Sequence, residues 1–175
     1  MNRRISEYGE IFQIAYCPRD FAAAVEFWTE TMGVGPFYRR GPLQFDSALH
    51  YGLPTDVRFS VAIAYWGDIQ IELIETHNDS PSIYRDWREA GLDGVHHLCI
   101  EVADIQAARA QCIERGMKIA QEMYWDGGGA IYADTGGGPG TMVEMVQLAD
   151  SQKERFARIR AAARDWDGSD PVREG

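Results

Sequence analysis

The chain repeats a strand and its following helix cap at an offset of 84 residues, and this register limits its fold more than any other feature. A strand-like segment, Ile11-Phe12-Gln13-Ile14-Ala15-Tyr16, leads to Asp20, seven residues after Gln13. Asp20 is suited to cap a helix over Phe21 to Met32, where Phe21, Val25, Trp28 and Met32 share one face and Gly33 supplies a stop. The same succession returns as Val95-His96-His97-Leu98-Cys99-Ile100-Glu101-Val102, with Asp104 again seven residues after His97. Ile105, Ala108 and Cys112 then share a face before Gly116. Each copy ends in an apolar strand with a central glutamate, Ile69 to Ile74 around Glu72 and Thr141 to Val146 around Glu144. There the offset is 72, so the first copy carries twelve more residues, placed around Gly41 to Asp56. The reading is two βαβββ units.

Turns and termini complete the outline. Trp66-Gly67-Asp68 reads as a hairpin turn, and the clusters Gly127 to Gly129 and Gly136 to Gly138 read as turns rather than phosphate loops, since no helix follows them. Asp79-Ser80-Pro81 reads as the start of a linker helix. Ser151 and Glu154 have capping-box spacing before a helix whose Phe156, Ile159, Ala163 and Trp166 line one face, against this domain or a partner subunit. Asp167 to Gly175 are polar and expected to fray.

Composition excludes several function classes. With 17 basic and 27 acidic residues the formal charge is -10, which repels nucleic acid and anionic lipid. Arg39, Arg40 and Arg58 could still make a local patch for a small anion, or be solvated surface residues. Cys17, Cys99 and Cys112 are too few and too scattered for a disulfide scaffold and read as buried apolar residues. No apolar run is long enough to span a bilayer, and the start from Met1 to Glu7 lacks the core of a secretory signal, so the expected location is the cytoplasm.

Alternation along the strands isolates four polar residues. Phe12, Ile14 and Tyr16 are expected to face the helix and oppose Gln13 and Ala15; Leu98, Ile100 and Val102 oppose His97, Cys99 and Glu101. Ile69, Ile71 and Leu73 oppose Gln70 and Glu72, and Glu144 shares a face with Met142 and Val146. Taken singly, Gln13 and His97 could be hydrogen-bonded core residues. Two buried carboxylates are harder to accommodate without a partner, and one bound cation would satisfy both. His96 is placed on the helix side, and His50 and His77 in surface loops. Phe45, Tyr51, Trp66 and Tyr124 could line a pocket or simply pack the core.

The segments Phe12 to Tyr16 with Asp20, Ile69 to Glu75, Gly94 to Leu98 and Met142 to Met145, in this order and spacing, resemble the vicinal oxygen chelate superfamily. The resemblance covers about Gly9 to Gln147. It implies an α+β fold in which two βαβββ units form a curled eight-stranded mixed sheet around a cavity, with helices outside. Residues 9–76 would form the first unit, 77–93 a linker helix, 94–147 the second unit, and 148–175 a C-terminal helix and tail. It further implies one divalent metal ion (Zn, Ni, Co, Mn or Mg) held by Gln13, Glu72, His97 and Glu144, with two positions open for adjacent substrate oxygens.

That ligand set resembles one form of glyoxalase I, whereas His77 to Pro81 and Gly94 to His97 are more similar to methylmalonyl-CoA epimerase. Both imply proton transfer next to a carbonyl through a metal-stabilised enediolate or enolate, with Glu144 as the first candidate base and Glu72 the second. A further acid in the middle strands would be Asp46, Asp56 or His50. The implied partners are a small carbonyl or thioester substrate and a second copy of the chain. The alternatives are a metal-free small-molecule binder of the same fold and an aromatic ring-cleaving dioxygenase.

Overall fold

The structure, a computed structural model, describes residues 4–175, so Met1 to Arg3 of the opening segment lie outside the described residues. The first unit comprises β1 (Ile11–Tyr16), α1 (Phe21–Glu26), β2 (Phe37–Arg40), β3 (Ser47–His50), β4 (Leu53–Pro54), β5 (Phe59–Trp66) and β6 (Ile69–Thr76). After α2 (Ile83–Glu89) comes the second: β7 (Val95–Glu101), α3 (Ile105–Glu114), β8 (Lys118–Trp125), β9 (Gly128–Asp134) and β10 (Met142–Gln147). Then follow α4 (Asp150–Arg164) and β11 (Val172–Glu174).

The described strands form one mixed sheet in the order β11-β2-β5-β6-β1-β7-β10-β9-β8-β3-β4. Each unit contributes four strands in the same internal order, β1-β6-β5-β2 and β7-β10-β9-β8, and the units join within one chain by antiparallel pairing of β1 with β7. First and last strands pair in parallel in both copies, β1 with β6 and β7 with β10. This brings the middles of four polar-bearing strands side by side.

Asp20 and Asp104 cap α1 and α3 as their spacing predicts, Asp20 accepting from Ala23 N–H at 3.0 Å and Asp104 from Ala107 N–H at 3.0 Å. Beyond Glu26 the first helix continues as a wider π turn over Phe27–Thr31, and Gly33, at φ 65, ends it. The turn between β5 and β6 is the two-residue Gly67-Asp68, with Gly67 at φ 62. Ile100, Val102 and Met145 pack with Ile105, Ala108 and Cys112 of α3; Ile71, Leu73 and Phe37 pack with Val25 and Trp28 of the first helix. A third apolar cluster fills the concave side, with Ala15, Phe59, Ile63, Tyr84, Cys99, Met123, Tyr132 and Ile159 among its members.

Phe37 is fully buried against the first helix. Phe37→Ala should therefore cost about 3–5 kcal/mol in denaturant unfolding, since the cavity left behind lies between rigid elements. A loss under 1 kcal/mol would show that this layer can collapse.

Several sequence expectations are corrected. The sheet has three strands beyond the eight of the two units: the inserted hairpin β3-β4, which pairs through β3 with β8 of the other unit, and β11. Val172 to Glu174 are ordered rather than frayed, because the outer edge of β2 offers unpaired backbone groups; Phe37 N–H donates to Pro171 O at 2.8 Å and Gly175 N–H to Arg39 O at 2.9 Å. The linker helix begins at Ile83, with Ser82 Oγ accepting from Arg85 N–H at 3.2 Å, while Asp79 pairs with Arg88 at 2.9 Å. The terminal helix begins at Asp150, one residue before the expected cap Ser151; Gln152 Oε1 accepts from Ala149 N–H at 3.0 Å. It packs on its own chain, against β5.

Alternation also fails at two places in β1 and β7. Register shifts lie between Ile11 and Gln13 and between Ala15 and Tyr16, the second opposite His96. The first lets Phe12 line the concave cavity together with Gln13 and meet Phe156, instead of facing α1. The second turns His96 toward α2, among Tyr84 and Trp87.

Candidate functional site

Glu72 from β6, His97 from β7 and Glu144 from β10 meet at the floor of the concave side, with one donor atom from each lying within 4.8 Å of the others. His97 is fully buried, and Glu72 and Glu144 are buried with 9% and 8% exposure, so both carboxylates have lost most of their hydration. His97 Nε2 stands 3.0 Å from Glu144 Oε2 and 3.9 Å from Glu72 Oε2. Gln13 joins through its amide nitrogen, which donates to Gln70 Oε1 and to the Glu72 carboxylate. Ligation through Gln13 would use the opposite end of that amide.

Burial pushes the Glu72 carboxyl well above its usual range, the charge on Glu144 adds to this, and the Gln13 hydrogen bond opposes it. The cluster is thus short of positive charge. A divalent ion would supply it, and two carboxylate oxygens with one imidazole nitrogen are donors suited to Zn, Ni, Co or Mn.

The protonation pattern behind His97 supports the same fit. Ile83 O can only accept, so His96 Nε2–H donates to it at 3.3 Å. Burial foremost, with the adjacent His97, lowers the His96 pKa to about 3, so that ring is neutral and its Nδ1 is bare. At 2.9 Å from this acceptor, His97 Nδ1 must carry the hydrogen. In the neutral ring His97 Nε2 is then a lone pair facing carboxylate oxygens, a contact that a proton or a cation must bridge.

His96 is therefore the residue that alternation misplaced. His96→Phe should weaken divalent-ion affinity about 10–100-fold in competition with a chelating dye, while His96→Gln, which keeps an acceptor, should recover part of the loss. Equal affinity in both variants would show that His97 needs no fixed tautomer.

The cluster opens into a cavity of about 450 Å³. Its walls include Phe12, Phe45, Phe59, Met123, Trp125 and Tyr132, and α4 contributes Arg155, Phe156 and Ile159. Tyr132, opposite Glu144 across β9 and β10, places its ring edge-on to His97 at 5.1 Å, and its hydroxyl lies 3.4 Å from that of Tyr84. Burial first, and nearby acids second, raise both phenols well above their usual value, so they remain neutral hydroxyls. Cys99 is held as a thiol by burial and the Glu144 charge. Nothing in the sequence marks Tyr132, because its position depends on the register of β9.

Of the other pocket candidates only Phe45 lines this cavity; Tyr51 and Trp66 are 51% and 57% exposed, and Tyr124 donates to Glu122 at 2.7 Å. The proposed further acids are also elsewhere. Asp56 pairs with Arg58 at 2.9 Å; His50 lies on β3 rather than in a loop and pairs with Asp86 at 2.9 Å; Asp46 is not part of the cavity wall. His77, in the loop after β6, meets Ser60 Oγ at 2.7 Å.

Residues 12–133 match the model of the glyoxalase/bleomycin resistance protein/dioxygenase superfamily. The chain belongs to this superfamily. Solved structures similar to this superfamily member include a variant methylmalonyl-CoA epimerase from Streptomyces coelicolor in complex with 2-nitronate-propionyl-CoA. It is 21% identical with a TM-score of 0.57, over 82% of this chain and 96% of that one. A Bacillus halodurans protein described as hypothetical is 15% identical with a TM-score of 0.57, over 81% and 96%. Methylmalonyl-CoA epimerase from Mycobacterium tuberculosis is 14% identical with a TM-score of 0.56, over 83% and 91%. At these identities the likeness establishes a shared fold. No curated protein matches the chain. Among the described residues no helix is long and apolar enough to cross a membrane.

Proposed function

We propose that this superfamily member is a metal-dependent isomerase or epimerase that moves a proton next to the carbonyl of a small molecule, an acyl thioester among the substrates it would fit. The observation that carries the reading is the convergence of Glu72, His97 and Glu144 on one point at the base of an apolar cavity. Glu72, His97 and Glu144, with Gln13 beside them, are the residues that would hold the ion. When bound, the divalent ion supplies positive charge to a carbonyl oxygen, which acidifies the adjacent C–H.

The chain's own groups supply the remainder. The two glutamates come from matching strands of the two units, so they approach a bound molecule from different halves of the sheet. Glu144 is the proposed base, and Glu72, buried beside it in the same cluster, is the proposed second proton carrier. Gln13 and His97 fix the positions of those carboxylates, and the aromatic walls hold the apolar part of a bound molecule. That several similar structures are epimerases of an acyl-CoA supports the thioester reading.

The direct test is proton exchange. Metal-replete protein incubated in deuterium oxide with methylmalonyl, propionyl and 2-oxoaldehyde thiol-adduct substrates should wash deuterium into the carbon next to the carbonyl of at least one, seen by NMR. Absence of exchange in all three, with cavity ligands still retained in chelator, would favour a binding protein instead.

A further inference from the structure

The cavity has a second polar end that the proton-transfer reading leaves unused. Arg40, the last residue of β2, and Arg155, on α4, both line it. Six other arginines of this acidic chain have a carboxylate: Arg39 pairs with Glu75, Arg58 with Asp56, Arg85 with Glu89, Arg88 with Asp79, Arg109 with Glu122 and Arg160 with Asp68. Among the described residues no carboxylate stands within ion-pair distance of Arg40 or Arg155, although Asp126 and Gly175, which bears the terminal carboxyl, line the same cavity.

The two guanidinium groups also feel one another. Burial first, then the charges of Arg40 and Arg158, lowers the Arg155 pKa to about 10. Arg155 is half-buried and lies 5.4 Å from the centroid of the Phe156 ring, so its position is set by packing as well as by solvent. Two like charges that line one cavity and make no direct ion pair repel one another, and an anion bound between them relieves that repulsion. Guanidinium forks match carboxylate and phosphate oxygens in geometry. Arg155 comes from a helix beyond residues 12–133, so this feature lies partly outside the segment that matches the superfamily.

We propose that Arg40 and Arg155 form an anion subsite that holds a carboxylate or phosphate at one end of the substrate while its carbonyl end reaches Glu72, His97 and Glu144. The inference rests on the proposed reaction only for what the far end of the molecule does. It implies a substrate with two polar ends and an apolar middle against Phe12, Phe45 and Trp125.

The test is calorimetric titration with phenyl phosphate, phenylacetate and uncharged benzyl alcohol, each in chelator and again with manganese. Wild-type protein should bind one or both anions and not the alcohol, equally in chelator, because the subsite is separate from the floor cluster. Whichever anion binds tighter identifies the group as phosphate or carboxylate. Arg40→Gln and Arg155→Gln should each weaken binding at least tenfold, Arg155→Lys less, and Arg164→Gln at the far end of α4 should leave it unchanged. Affinity indifferent to Arg40 and Arg155, or anion binding that disappears in chelator, would overturn the subsite. Arginine-dependent binding in a protein that exchanges no deuterium would uphold the subsite and sink only the reaction.

Discussion

His97→Ala is expected to reduce divalent-metal content from one ion per chain to none retained through gel filtration. His97 supplies the imidazole nitrogen of the cluster, within 4.8 Å of an oxygen of each carboxylate, and removing it leaves the two acids without that donor. Because a change behind the ligand costs about 10–100-fold in affinity, loss of the ligand itself should exceed that range. Chelator should correspondingly destabilise the wild type and leave the variant unchanged. At a free ion concentration of about 100 times Kd, binding contributes about 2.7 kcal/mol, or roughly 5–10 °C in Tm for a chain of this size.

The pH dependence follows from Glu72. Its folded pKa is raised, so the stability linked to it is fully present below the ordinary carboxylate value and is lost as pH rises through the raised one. Metal-free wild type should therefore lose stability from mildly acid toward alkaline pH, while added ion restores most at the alkaline end, where no proton competes. Glu72→Gln should flatten that dependence. A melting profile equal with and without chelator at every pH would remove the metal from the argument.

Glu144→Gln is expected to lower deuterium exchange by about 10²–10⁴-fold, the usual contribution of one positioned base. The amide keeps an oxygen toward the cluster but cannot accept the proton, so ion content should fall far less than the rate. Its position is fixed by its contact with His97 and its register opposite Tyr132, so the substitution should act on chemistry rather than folding. An unchanged exchange rate would transfer the base role to Glu72, and the matching Glu72→Gln variant decides between them.

How much of this was legible in the sequence depended on whether local rules governed each residue. The duplication was, because Asp20 and Asp104 follow Gln13 and His97 at equal spacing and each helix carries one apolar face. Glu72, His97 and Glu144 were legible as mid-strand polar residues of β6, β7 and β10, while their meeting depended on the strand pairing. What escaped depends on contacts between distant segments. Bulges in the pairing of β1 and β7 redirected Phe12 and His96; an open edge on β2 ordered Val172 to Glu174; and the Gly41 to Asp56 insertion found its partner on β8, across the sheet. Arg155 was hidden for the same reason, since α4 acquires its role only by lying over the cavity.

The inserted hairpin joins the two rims of the trough. It leaves β2 on one side and is anchored to β8 on the other, so residues 41–46 act as a tether of about 20 Å at full extension. The halves can move apart only within that length or by unzipping β3 from β8. Breathing of the trough is thereby bounded by covalent chain, and exchange of one half with another copy of the protein is opposed by a strap that would have to be undone first.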